Sequence, residues 1–405
     1  MTPLLKKALA AVALTPILAA LFLGGILAAF AIPNEPILKN LQDRPEVLFA
    51  RRADNGRVID ADTECIGMSV GLDLAPDERG LVHRAVNAQS LYGCEPLARF
   101  FEGSREQKIL DYFRYWHGYL LIARPVLALM PYNDMRGYLF TASLGLFVWL
   151  VWRIGADFGA RTALAFVAPF VALNAMGLMV VATKATTWLL AIGAGLFFSR
   201  RKAEETPLLA FFTVGVLTAY FDFFTAPAFI FCFAAVIAMI YEARAGRAPH
   251  WRDFILSGVF WGAGWAGFIL IKIAIAAVIL DGDVWREFLD AALFRVRGET
   301  AEVESLAPGM ALYENLAALK TFWGPVAIIA FFILPIATKA RRARWAALAK
   351  SRSALLGVAA APLLWMEVFT NHTQIHAAFT QINYAPAFIL AALVLAGSRA
   401  LPARA

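Results

Sequence analysis

The chain has 405 residues, of which 60% are hydrophobic and only 17% are charged, whereas soluble domains contain about 45–50% apolar and about 25% charged residues. Together with a mean hydropathy of +0.63, this composition indicates an integral membrane protein. It excludes a disordered chain, a collagen-like fibre and a soluble enzyme. The formal net charge of +7 lies largely in short loops, where basic residues orient a membrane protein. We therefore predict no nucleic-acid partner.

Long apolar runs predict ten membrane spans, because a crossing helix needs about 20 apolar residues. The short basic clusters between these runs all fall on one side when the N-terminus is cytoplasmic, which predicts that both termini are cytoplasmic. The fold class predicted for residues 1–405 is thus a single, all-α polytopic membrane domain. The predicted spans are 9–31, 138–152, 162–181, 183–198, 207–220, 225–241, 254–280, 321–337, 354–370 and 382–398.

Two larger regions, 32–137 and 281–320, fall on the outer face in this topology. Residues 112–132 are also hydrophobic, but a crossing there would move every later basic cluster to the outside. Pro125 disfavours a helical conformation at residue 124, and an unpaired Arg124 in lipid is costly. Residues 112–132 are therefore predicted to form an interfacial or re-entrant segment, and 32–137 to carry interfacial helices.

Two of the three cysteines, Cys65 and Cys94, fall in the first outer region. Because cysteines in an oxidising compartment commonly pair, a disulfide between them is predicted. Two free thiols are the alternative. A metal site at these cysteines is not indicated, since they lack companion ligands at a suitable spacing.

Carboxylates are concentrated soon after the first span, at Asp60, Asp62, Glu64 and Asp73. A carboxylate held against a membrane surface can have a raised pKa and act as a general base. In an extended chain Asp60, Asp62 and Glu64 would share one face. The alternative interpretation is a solvated acidic loop.

Basic residues recur in both outer regions. If residues 112–124 are helical, then Arg114, His117 and Arg124 lie on one stripe. Arg295 and Arg297 point together only in an extended chain. Arginine forks match phosphate geometry, so these cations are candidates for binding an anionic lipid headgroup. Snorkelling side chains at the interface and ordinary surface charges remain the alternatives.

Three further polar residues map to outer turns between spans. His372 and His376 have the i, i+4 spacing that can place two imidazoles on one metal, although no HExxH pattern surrounds them. Hydrogen bonding to a sugar and a simple interfacial cap are the other interpretations. Asp222 lies in a tight turn and is predicted to face the outer cavity, with a solvated turn residue as its alternative.

The layout resembles that of the GT-C superfamily of integral-membrane glycosyltransferases, such as protein O-mannosyltransferases and lipid A aminoarabinose transferases. The resemblance lies in a first span, an acidic outer loop with Asp60, Asp62 and Glu64, and then the segment YWHGYLLIARPVL with His117, Arg124 and Pro125. The family's Pro-Pro-Leu element is replaced by Arg-Pro-Val, and the acids do not form an Asp-Asp or Asp-Glu pair. The likeness covers about the first 200 residues as a layout.

This resemblance implies transfer of a sugar from a polyprenyl-phosphate-linked donor to a lipid, glycan or protein acceptor. The protein would lie in a bacterial inner membrane, in contact with membrane lipids and with a periplasmic active site. Glu64, Asp62 or Asp60 would act as the base. His117, Arg124, Asp222, Arg295, Arg297, His372 and His376 would bind the substrates.

The cofactor is unknown, and a divalent metal is compatible with the family but not indicated by any ligand pattern. A transporter or a lipid or glycolipid flippase is the alternative function, and an assembly scaffold without catalysis is a third. The inverted repeats and paired intramembrane charges expected of a transporter are not evident in the sequence.

Overall fold

The structure is a computed structural model of the chain. It describes residues 2–50, 61–74, 80–104, 108–200, 206–301, 303–319 and 324–401.

The first third of the described chain joins one long helix to a set of short elements. These are helices α1 (Pro3–Phe30), α2 (Asn34–Gln42), α3 (Pro45–Phe49), α4 (Ala61–Gly71), α5 (Gly80–Asn87), α6 (Cys94–Phe101) and α7 (Leu120–Leu129), with strands β1 (Ser90–Leu91) and β2 (Ile109–Leu110). The two strands form a small antiparallel pair in which Ser90 is opposite Leu110. Cys65 and Cys94 form a disulfide that ties α4 to the start of α6.

The rest of the described chain is helical. Its α-helices are α8 (Tyr132–Phe158), α9 (Ala160–Ala172), α10 (Ala182–Arg200), α11 (Leu208–Phe221), α12 (Pro227–Arg244), α13 (Trp251–Ile279), α14 (Val284–Arg297), α15 (Met310–Ala318), α16 (Gly324–Ile328), α17 (Lys339–Ser351), α18 (Ala354–Val368), α19 (Thr370–Ile375), α20 (Ala377–Thr380) and α21 (Ala385–Ala396). Short 3₁₀ turns cover Ala175–Val180, Leu334–Ile336 and Gln381–Tyr384, and a π-helical turn covers Ile329–Ile333.

Among the described residues, five helices are long and apolar enough to cross a membrane. They are Pro3–Phe30, Tyr132–Phe158, Pro227–Arg244, Trp251–Ile279 and Ala377–Ala396, the last of which joins α20 to α21. The pair α17 and α18, bent by 96°, is a sixth candidate. The described chain is therefore almost entirely helical, and its candidate spans fit a multi-pass membrane protein. The other predicted spans coincide with helical segments that are shorter or, in the case of α10, less apolar, so the number of ten spans is not established.

The connections between helices contact one another in two separate groups. The first group links the predicted outer segments through five hydrogen bonds, namely Ala182 to Glu64, Gly118 to Tyr220, Arg295 to Tyr115, Asn371 to Gly298, and His372 to Phe224. The second group links the predicted inner segments through Arg153 to Ser199, Arg244 to Asp157, Thr206 to Asp253, Trp251 to Ser353, Thr162 to Ser398, and Arg352 to Ala400. Each of these contacts joins two segments predicted to lie on the same side of the membrane.

Helices α11 and α13 pack closely because each has a glycine at their crossing. A Cβ atom at Gly264 would lie 2.3 Å from the backbone oxygen of Phe212, and a Cβ at Gly215 would lie 2.0 Å from that of Trp261. Small residues allow helix backbones to approach in this way within membranes. This pair carries Asp222 at the end of α11, so its packing also positions the site described below.

We expect Gly264→Ala to destabilise the protein by about 1–3 kcal/mol, because the added methyl group would force two backbones apart. Gly262→Ala is the matched control, since nothing lies within 4 Å of a Cβ there. Thermal unfolding in detergent micelles measures both variants. Equal stability of the two variants would contradict the close crossing.

The segment around residues 112–124 differs from its prediction. Residues 112–119 are not helical, and His117 has a positive φ of 57°. The helix begins only at Leu120 and contains both Arg124 and Pro125. The predicted stripe of Arg114, His117 and Arg124 is therefore wrong. Ten helical residues at about 1.5 Å rise each span about 15 Å, which is too short for a crossing.

Candidate functional site

Two neighbouring cavities lie among the first group of connections. The apolar cavity has a volume of about 150 Å³ and is lined by Arg114, Tyr115, Trp116, Ala219, Asp222, Phe224, Trp265, Ile269, Phe288, Ala292, Arg295 and Phe369. The polar cleft has a volume of about 740 Å³ and is lined by Tyr92, Ile109, Leu110, Asp111, Tyr112, Arg114, Glu287, Asp290, Ala291, Phe294, Arg295, Asn371, His372, Ile375 and His376. Arg114 and Arg295 belong to both linings, so the two spaces meet at these two cations.

Asp222 is the acid of the apolar cavity. It follows the last residue of α11 and is only 6% exposed. Its Oδ1 accepts hydrogen bonds from the Thr187 hydroxyl and, at 3.4 Å, from the Ala226 amide, while its Oδ2 has no hydrogen-bond partner among the described residues. Burial raises the pKa of this carboxyl to about 6, against the lowering effect of its hydrogen bonds. A carboxylate with a pKa near neutrality and an unoccupied oxygen has the properties of a general base.

Arg295 and Arg114 are half-buried cations held over aromatic rings. The Arg295 guanidinium lies 5.3 Å from the centre of the Phe224 ring and also donates to the Tyr115 hydroxyl. The Arg114 guanidinium lies 4.8 Å from the centre of the Tyr112 ring. Within the described ranges neither arginine forms a salt bridge. Both cations are therefore available to an anionic ligand at the junction of the two cavities.

Arg297 does not join this pair. Residues 284–297 form α14, and side chains two positions apart on a helix point in different directions. Arg295 lines both cavities, whereas Arg297 is exposed and lines neither. The predicted clamp of Arg295 and Arg297 is therefore wrong, and Arg114 lies beside Arg295 instead.

His372 and His376 both line the polar cleft, at α19 and just after it. Their rings are 4.7 Å apart between centroids, and a ring nitrogen of His372 lies 2.9 Å from the backbone oxygen of Phe224. The described part of the chain contains no group of three His, Cys, Asp or Glu residues placed to hold a metal ion. The two histidines are therefore polar residues of the cleft lining.

Glu64 serves a different purpose from Asp222. It is 2% exposed, and its carboxylate accepts four hydrogen bonds, from the Tyr132 hydroxyl (2.8 Å), the Ala182 amide (2.8 Å), and the amide and hydroxyl of Thr183 (3.1 and 2.7 Å). Ala182 and Thr183 begin α10, whose free amides and dipole favour an anion. Glu64 therefore anchors α4 to the start of α10 and lies outside both cavity linings.

Asp62 and Glu64 do not share a face, because residues 61–71 are helical rather than extended. Asp62 is exposed, and its Oδ1 accepts a hydrogen bond of 3.1 Å from the Cys94 amide at the start of α6. Asp62 thus caps the start of α6, beside the disulfide of Cys65 and Cys94. Asp60 lies outside the described residues.

Arg124 is fully buried and is bonded entirely within the protein. It donates to the backbone oxygens of Ala29, Ile32 and Gly71 and to Oδ1 of Asn34. Carbonyls near the ends of α1 and α4 attract a cation because they carry the negative end of the helix dipole. The structure therefore contradicts the assignment of Arg124 to substrate binding.

His117 is also buried, at 2% exposure, and lines neither cavity. One ring nitrogen lies 2.9 Å from the backbone oxygen of Tyr112. Burial lowers the pKa of this imidazole to about 3, so it is neutral near pH 7. A neutral, enclosed imidazole cannot supply positive charge to a phosphate, and His117 is better described as a packing residue of the loop.

Two residues of the site are absent from the set of substrate-binding residues predicted from the sequence: Arg114, which entered only as part of the predicted stripe, and Asn371. Asn371 is 1% exposed, donates a 2.6 Å hydrogen bond to the backbone oxygen of Gly298, and has an Oδ1 without a partner in the described ranges. A signal was present in both cases, because each residue lies in a predicted outer segment that also carries a histidine. No pattern in the sequence, however, distinguishes Arg114 from Arg124.

Comparison with known proteins adds no relative: no family model, no curated protein and no solved structure matches this chain.

Proposed function

We propose that this protein is a membrane glycosyltransferase of the GT-C kind, which moves a sugar from a polyprenyl-phosphate-linked donor to an acceptor hydroxyl. The observation that carries the proposal is the arrangement at the junction of the two cavities. Two cations, Arg114 and Arg295, lie between an apolar cavity and a polar cleft, and Asp222, whose Oδ2 has no hydrogen-bond partner among the described residues, lines the apolar cavity.

The two cavities match the two parts of such a donor. A space of about 150 Å³ can hold a molecule the size of benzene, which is comparable with one isoprene unit. Trp265, Ile269 and Phe369 provide the apolar wall for it. The guanidinium groups of Arg114 and Arg295 would bind the phosphate, because planar forks match its oxygens. The sugar would then lie at the junction, beside Asp222 and next to the polar cleft.

The reaction follows from these positions. Asp222 takes the proton of the acceptor hydroxyl, whose oxygen forms a bond to the anomeric carbon of the sugar. The bond from that carbon to the phosphate oxygen breaks, and the electron pair leaves with the phosphate. Arg114 and Arg295 stabilise the negative charge that develops on the leaving group. Glu64 and Asp62 support the site through α10 and α6 rather than by proton transfer.

The same proposal includes the topology. We infer ten crossings with both termini in the cytoplasm of a bacterial inner membrane, and an active site on the periplasmic face. The separate contacts of the two groups of connections support this arrangement, since each group unites segments predicted to lie on one side. A disulfide between Cys65 and Cys94 in the first outer region is in keeping with an oxidising compartment.

The test is to reconstitute the purified protein in nanodiscs with a radiolabelled polyprenyl-phosphate sugar and membrane acceptors. A transferase releases lipid phosphate and moves the label to the acceptor. Movement of the intact donor between leaflets, without cleavage, would instead identify a flippase. No cleavage and no movement would overturn both functions.

We expect Arg295→Lys to weaken donor binding by about 1–3 kcal/mol, because lysine keeps the charge but loses the two-pronged hydrogen bond. Arg297→Lys is the matched control: it changes the same residue type on the same helix but does not line either cavity. Its affinity should change by less than about 0.5 kcal/mol. Equal donor affinity of both variants in nanodiscs would remove α14 from the donor site.

A further inference from the structure

The polar cleft contains chemistry that binding of a lipid phosphate does not use. Asp111, Glu287 and Asp290 place three carboxylates along its walls. Glu287 and Asp290 are three residues apart on α14 and therefore lie on the same side of that helix. Carboxylates are negatively charged and therefore repel phosphate. They also accept hydrogen bonds, so they favour a ligand that is rich in donors.

Asn371 provides a second and independent indication of a ligand. Its side chain is 1% exposed and lines the cleft, and its Nδ2 is occupied by the backbone oxygen of Gly298. Its Oδ1 has no hydrogen-bond partner in the part of the chain that the structure describes. A buried acceptor without a partner is unfavourable, and a ligand hydroxyl group would satisfy it.

Aromatic rings complete the lining. The Tyr92 side chain is 71% exposed and that of Phe294 is 46% exposed, and both belong to the cleft. Exposed flat rings suit a ligand that has apolar C–H faces as well as polar edges. A saccharide ring combines these properties, with hydroxyl groups around its edge and C–H groups on its faces. The acceptors of this cleft belong to side chains. They are less suited to an extended peptide, which is commonly recognised through hydrogen bonds between its backbone and the backbone of the protein.

We infer that the polar cleft binds a neutral oligosaccharide and that the acceptor of the proposed transfer is therefore a glycan. The volume of about 740 Å³ lies within the range of about 300–1,000 Å³ that is usual for ligand sites. The carboxylates and Asn371 accept from sugar hydroxyls, and Tyr92 stacks on a ring face. The identity of the acceptor rests on the proposed function, whereas binding of the saccharide does not.

The test is direct binding to the full-length protein in nanodiscs. The probes are fluorescently labelled short linear oligosaccharides of glucose, mannose and N-acetylglucosamine, and a labelled Ser/Thr-rich peptide. Asp222→Asn protein is used beside the wild type, so that binding is measured without turnover. At least one oligosaccharide should bind both proteins, and the peptide should bind neither.

Two exposed residues of the cleft give variants that are expected to fold. Tyr92→Ala and Glu287→Gln should each weaken oligosaccharide binding about tenfold, as loss of a principal contact does. Tyr138→Ala and Glu102→Gln are the matched controls, since both residues are exposed and neither lines the cleft. The controls should bind as the wild type does.

The outcomes separate the two proposals. Binding of an oligosaccharide without any cleavage of the donor would overturn the transferase function and leave the cleft as a saccharide site. Failure of every oligosaccharide to bind at about 10 mM would overturn the inference, whether or not the donor is cleaved. Binding that is unchanged by Tyr92→Ala and Glu287→Gln would also overturn it, because the saccharide would then lie elsewhere.

Discussion

Asp222→Asn should reduce the rate of sugar transfer by about 10²–10⁴-fold, the usual contribution of a general base. Asparagine preserves the size of the side chain and can still accept from the Thr187 hydroxyl, so the fold should be retained. The measurement is release of lipid phosphate under saturating donor. Asp134→Asn is a suitable control, since Asp134 is exposed at the start of α8 and lines neither cavity. A normal rate in Asp222→Asn would exclude this residue as the base.

The pH dependence gives a further check on the same residue. Burial raises the pKa of Asp222 to about 6, and a base must be deprotonated to accept a proton. Activity should therefore be maximal above this value and should fall as the pH decreases through about 6. Asp222→Asn should lack this limb of the profile. An unchanged acid limb in the variant would assign it to another group.

Glu64→Gln should destabilise the folded protein strongly without abolishing the chemistry of molecules that remain folded. The two carboxylate oxygens accept four hydrogen bonds, two of them from the first amides of α10. The NH₂ group of glutamine cannot accept, so buried donors of Ala182 or Thr183 lose their partner at about 1–3 kcal/mol each. The favourable charge at the helix N-terminus is lost as well.

Asp62→Asn is the control for this prediction, because Asp62 is exposed and accepts one hydrogen bond, from the Cys94 amide, within the described ranges. Its effect should be about 1 kcal/mol or less. Thermal unfolding in micelles gives the stabilities, and lipid phosphate release per folded molecule gives the activities. A stable but inactive Glu64→Gln protein would return the role of base to Glu64.

Hydropathy and charge were sufficient for the membrane class and the helical character of the chain, because both depend on local composition. Each predicted span coincides at least in part with a described helical segment, from α1 to α21. The lengths of these helices were less predictable. The run 162–181, for example, is divided into α9 and a 3₁₀ turn. Apolar runs show where chain is buried in lipid or protein but do not show where a helix bends.

The local conformation decided which neighbouring charges could act together. Asp62 with Glu64, and Arg295 with Arg297, are pairs two residues apart that would point together only in an extended chain. Both pairs lie on helices, α4 and α14, so one member of each pair faces the protein and the other faces away.

The tertiary structure alone decided which acid and which cations form the site. Glu64 and Asp222 were both outer carboxylates in the sequence, but Glu64 meets the start of α10, 118 residues away, and its oxygens are occupied there. Arg124 likewise meets carbonyls of α1 and α4. Asp222 and Arg295 instead line a shared cavity, and Oδ2 of Asp222 has no hydrogen-bond partner among the described residues. The sequence specified which charges the predicted outer segments carry, whereas long-range packing determined which of them are held by protein partners and which line a cavity.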